Sequence, residues 1–120
     1  MKRVLIVDDA EFMRMSIGTI LKNHGFEIVG EAEDGIESVR KYKELNPDIV
    51  TMDITMPEMS GIAALKEIME YDPKANVVMV TAIGQEALVR EAVTNGAKSF
   101  LVKPFTEEQL INVLNKVLEI

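Results

Sequence analysis

The chain of 120 residues has the length of one domain with room for a real core, and its 48% hydrophobic and 28% charged residues are those of an ordinary globular protein. A net charge of −7 argues against sequence-independent binding to nucleic acid, which needs basic residues to neutralise phosphates. No cysteine is present and His24 is the single histidine, which excludes disulfides, thiol chemistry and a histidine-rich transition-metal site, and no apolar run approaches the roughly 18 residues of a membrane span. Any metal held here is a hard one bound by oxygen, and the partner to expect is a protein. Met1-Lys2-Arg3 is followed by only four apolar residues before Asp8-Asp9, so no export signal is visible and a cytoplasmic location is expected.

Arg3 to Val7 reads as a short buried strand ending in Asp8-Asp9. From Phe12 to Asn23 the spacing predicts a helix with Met13, Ile17, Ile20 and Leu21 on one stripe, Arg14 and Lys22 outward, and Gly25 closing it. Glu27 to Ala32 is a second strand, and Asp34-Gly35 turns into a helix to Leu45 with Ile36, Val39 and Tyr42 facing in. Ile49 to Met52 has no polar alternation, which predicts a strand buried on both faces with Asp53 at its carboxyl end, followed by turn signals at Met56-Pro57 and Ser60-Gly61. A helix from Gly61 to Glu70 places Ile62, Leu65, Ile68 and Met69 inward. Asn76 to Val80 is a fourth strand that stops at Thr81-Ala82, and a helix from about Gln85 to Asn95 ends at Gly96. Ser99 to Val102 is the fifth strand, ending at Lys103-Pro104. The last helix runs from Thr106 to about Glu119, with Thr106 and Gln109 set for a capping box and Leu110, Val113, Leu114, Val117 and Leu118 as its stripe.

Five uninterrupted βα units predict an α/β fold, a doubly wound parallel sheet with right-handed crossovers. All strands then point one way, and their carboxyl ends bring Asp8, Asp9, Ala32, Asp53, Thr81 and Lys103 to one rim, where ligands of such sheets bind. A lone Asp is more often a turn former, and a lone Asp–Lys pair a structural ion pair; the whole set at matching strand ends is neither. Three crowded carboxylates repel unless a cation such as Mg²⁺ holds them ionised. A hard cation, an ammonium and a hydroxyl together suit a phosphoryl group, and a central carboxylate can be the nucleophile that forms an aspartyl-phosphate. The glycine-rich cradles of nucleotide sites are missing, so nucleotide binding is not expected.

Asp8-Asp9, Asp53 in VTMDITMPEMSG, Thr81-Ala82 and Lys103-Pro104-Phe105 occur in this order across the whole chain, which resembles the receiver domains of bacterial two-component response regulators. VTMDITMPEM and GQEALVREA make it most similar to the single-domain regulators of chemotaxis. The resemblance implies a flavodoxin-like (βα)5 fold with strand order 2-1-3-4-5, one receiver domain over residues 1–120, and a monomer. It implies Asp53 as phosphoacceptor and Mg²⁺ held by Asp9, Asp53 and the backbone carbonyl of Thr55, with Asp8 acting directly or through water. Thr81 and Lys103 would bind phosphoryl oxygens, the Lys103-Pro104 bond would be cis, and Thr55 and Ile83 would flank the approach of water. On switching, Thr81 would move toward the phosphate and Phe100, which lacks the hydroxyl of the Tyr often found there, would rotate into the vacated space. The implied partner face comprises the helix before the fifth strand, Phe100, Val102 and the last helix, with Val89 near the surface if Leu88 faces the sheet. The implied partners are a sensor histidine kinase of the chemotaxis type, the flagellar motor switch protein or another protein target, and a phosphatase. On this reading the protein is a phosphoacceptor that assists its own chemistry rather than an enzyme. Two alternatives remain: a phosphorelay receiver that passes its phosphate to a histidine phosphotransfer protein, and a Mg²⁺-dependent phosphatase working through an aspartyl-phosphate. Tight βα units leave no insertion for the substrate cap that the last would need.

Overall fold

The pleat of the strands, which turns successive apolar side chains to opposite faces, divides the core of this chain into two layers. In the computed structural model, which describes residues 1–119, the order is β1 (Arg3–Val7), α1 (Glu11–Asn23), β2 (Glu27–Ala32), α2 (Gly35–Leu45), β3 (Ile49–Asp53), α3 (Gly61–Tyr71), β4 (Val77–Ala82), α4 (Glu86–Thr94), β5 (Ser99–Lys103) and α5 (Glu107–Leu118). All pairings are parallel, in the flavodoxin-like order β2-β1-β3-β4-β5. Successive strand residues point to opposite faces, so Val50 and Met52 of β3 join Leu65 and Ile68 of α3 in one layer, while Ile49 joins Ile17 and Leu21 of α1 and Leu114 of α5 in the other. Every residue of β3 is buried, as a run without polar alternation predicts. No helix among the described residues is long and apolar enough to cross a membrane.

The loops are pinned where the strands end. A Cβ on Gly61 would lie 1.9 Å from the Asp53 carbonyl oxygen, and its N–H donates to the Ile54 carbonyl at 2.7 Å, so only glycine lets α3 start against the end of β3. Gly35 is held in the same way under Met59, whose oxygen a Cβ would meet at 2.2 Å. The last helix opens with the reciprocal capping box of Thr106 and Gln109, and the Lys103-Pro104 bond is cis.

Two side chains depart from their expected faces. Ile36 is 54% exposed, because the inward stripe of α2 is Gly35, Ser38, Val39 and Tyr42; Ile36 lies about 100° around the helix from Gly35. Ser38 satisfies its buried hydroxyl on the Gly35 carbonyl at 2.7 Å. Arg14 is not an outward charge: its side chain is 13% exposed, donates to the Asp8 carbonyl at 2.7 Å and pairs with Glu31 at 3.1 Å. Its aliphatic stem folds along the protein while the guanidinium finds acceptors at the ends of β1 and β2. β4 and β5 extend further than their apolar runs, so Thr81 and Lys103 are strand residues.

Candidate functional site

The register of the sheet delivers the polar groups of the carboxyl rim to one place. Asp8 and Asp9 follow β1, Asp53 ends β3 and Lys103 ends β5, and carboxylate oxygens of the three aspartates lie within 4.8 Å of one another. Asp8 is buried and fully partnered: Oδ1 accepts the Ala10 N–H at 2.9 Å and Oδ2 accepts the Lys103 ammonium at 3.0 Å. The same ammonium stands 3.8 Å from Asp53 Oδ1, so one cation is shared between two acids while Asp9 faces solvent. Burial, then the charge of Asp8, push the Asp53 carboxyl up from 3.8 to about 6, against the pull of Lys103 and with a further push from Asp9. The cluster therefore carries an excess of negative charge on oxygen donors alone, a set that suits a hard divalent cation such as Mg²⁺ and not a soft one.

Thr81 is brought to the rim but its hydroxyl is occupied elsewhere. It donates to Gln85 Oε1 at 2.6 Å; that oxygen also accepts the Ala82 N–H at 2.8 Å, and Gln85 Nε2 donates to the Thr55 hydroxyl at 3.1 Å. Gln85 thus joins the loop after β3, the end of β4 and the start of α4. Sequence reasoning placed Gln85 only as a helix start. Gln is not among the good helix-capping residues, which was the available signal that its amide works elsewhere, and in the fold it makes no capping bond.

On the flank, Phe100 and Val102 pair with Met79 and Thr81 across β4 and β5, so they share the face toward α4. α4 leaves them 44% and 39% exposed, above a groove of about 580 Å³ that Thr81, Ile83, Val89 and Val93 also line. Val89 is half-buried: it packs with Leu88 against the core and also lines this groove, while Val93, one turn on, is 51% exposed. Ile83 is open to solvent at 78%.

Residues 4–115 match the response regulator receiver domain family. The chain belongs to that family. The receiver is 60% identical to the chemotaxis protein CheY of Thermotoga maritima and 56% identical to that of Bacillus subtilis, each over 116 residues and 97% of both chains. A chain in the crystal structure of the CheX-CheY-BeF3-Mg complex from Borrelia burgdorferi superposes with a TM-score of 0.93 at 44% identity, covering 98% of this chain and 89% of that one. Similarity of this extent makes the receiver a chemotaxis response regulator, a signalling protein phosphorylated on aspartate.

Proposed function

We propose that residues 1–120 form one receiver domain in which Asp53 is the phosphoacceptor and Asp8, Asp9, Asp53 and the carbonyl of Thr55 hold Mg²⁺. The observation that carries this reading is the position of Asp53, a buried carboxylate pressed by two acids and 3.8 Å from the Lys103 ammonium. Bound there, Mg²⁺ would offset the repulsion among the carboxylates and the charge of the transferring phosphoryl group. An oxygen of Asp53 attacks phosphorus of a phosphohistidine, the P–N bond breaks, and the electron pair leaves with the imidazole nitrogen. Lys103, oriented by Asp8, neutralises a phosphoryl oxygen, and the Thr81 hydroxyl donates to another. The shared groove gives Phe100 room to follow Thr81 inward and so to alter the face that Val89, Val93 and Val102 border.

The kinase is of the CheA type, the protein works in the cytoplasm without being an enzyme in its own right, and the target is the flagellar motor switch protein. Phosphotransfer from an autophosphorylated chemotaxis kinase to the purified chain, scored in wild type and Asp53→Asn, tests the acceptor. Binding of the phosphorylated form to the motor switch protein tests the target. Rapid loss of the label to a histidine phosphotransfer domain, with no gain in motor switch affinity, would favour the phosphorelay reading instead.

A further inference from the structure

We propose that Gln85 is a positioning residue that holds the Thr81 hydroxyl away from the phosphoryl site in the resting protein and so sets the affinity of the site for a phosphoryl group. The proposal rests on Thr81 being a phosphoryl ligand, as assigned above. The geometry fixes who donates. A backbone N–H can only donate, so the Gln85 atom 2.8 Å from Ala82 N is the amide oxygen, and Nε2 is the atom facing Thr55. The contact of 2.6 Å between that oxygen and Thr81 Oγ1 then requires Thr81 to give its single proton to Gln85. Thr81 is 1% exposed, so no water competes freely for that proton, and the remaining acceptor in reach, the Ala82 carbonyl, is at 3.3 Å. A phosphoryl oxygen at Asp53 can gain the Thr81 hydrogen bond only after the bond to Gln85 breaks.

The consequence is an exchange of one hydrogen bond for another at the moment of binding. Removing Gln85's acceptor destabilises the resting arrangement and leaves the bound one with its Thr81 contact intact. A net hydrogen bond of ordinary strength corresponds to about fivefold in affinity. Because Gln85 also ties Thr55 on the loop after β3 to the N-terminus of α4, the release frees both elements together.

The test is titration of the full chain with beryllofluoride, a stable phosphoryl mimic, at saturating Mg²⁺, followed by ¹⁹F NMR. It compares wild type, Gln85→Leu, Thr81→Val and the double variant. The proposal predicts about fivefold tighter binding for Gln85→Leu and no gain from it in the Thr81→Val background. In the resting protein without Mg²⁺, the Ala82 amide should exchange its hydrogen faster in Gln85→Leu. Gln85→Asn, too short to reach Thr81, serves if the leucine variant does not fold, and should tighten binding likewise. Unchanged affinity in the Gln85 variants while Thr81→Val weakens binding would overturn the latch alone. So would an equal gain in both backgrounds, or unchanged exchange at Ala82. If Thr81→Val leaves beryllofluoride affinity untouched, Thr81 is not a phosphoryl ligand, and that assignment falls together with the latch built on it.

Discussion

Thr51 and Asp53 lie two apart on one face of β3 and meet burial with opposite chemistry. Thr51 Oγ1 has no hydrogen-bond partner among the described residues, and an unmet buried hydroxyl costs about 1–3 kcal/mol. Thr51→Val keeps the shape and removes that cost, so urea unfolding should show a gain of about 1 kcal/mol; a loss of that size would reveal a partner for the hydroxyl. Asp53 keeps its charge only under strain. Its pKa of about 6 in the fold exceeds the ordinary 3.8, so between those values the folded state holds a proton that the unfolded chain releases. The stability this gives is fully present below about pH 4 and is lost as pH rises through 6. Without divalent cations, wild type should therefore lose stability relative to Asp53→Asn between pH 4 and 6, with a constant gap above. A difference between the two proteins that is flat across that range would remove the repulsion among the acids from the account.

At the scale of elements, the contacts between strand ends and helix starts govern the site. Gly61→Ala would push a Cβ into the carbonyl of Asp53, displacing the acceptor itself, and should cost about 3 kcal/mol in denaturant unfolding and slow phosphorylation. Thr106→Ala removes half of a capping box and should cost about 1 kcal/mol without affecting the rim. That capping box was legible because both partners lie within one turn, and β3 was legible because a parallel strand buried on both faces has no polar alternation. Strand ends that carry acid, hydroxyl and ammonium likewise announced the rim. Side chains that act across elements were not legible in this way. Arg14 reaches Glu31 and Gln85 reaches Thr55, 17 and 30 residues away, and a helical wheel shows only that each is polar. Ile36 was misplaced because an apolar stripe can be drawn in two phases when a small residue such as Ser38 is the one that packs.

For the molecule as a whole, the rim joins charge, fold stability and signalling in one place. A cation that binds the folded rim and not the unfolded chain stabilises the fold by mass action, about 1.4 kcal/mol at ten times its dissociation constant. Millimolar Mg²⁺ should raise the unfolding midpoint, and Asp9→Ala, which removes the exposed member of the cluster, should lose most of that rise. An equal response in the variant would move the cation elsewhere. Whether the phosphoryl group resides on Asp53 is read by treating the protein with a small-molecule phosphodonor and Mg²⁺, reducing the acyl phosphate with borohydride and mapping the resulting homoserine by peptide mass spectrometry. Homoserine is expected at position 53 alone, with none in Asp53→Asn. Homoserine at Asp8 or Asp9 in wild type, or a phosphate adduct that persists in Asp53→Asn, would contradict the assignment to Asp53.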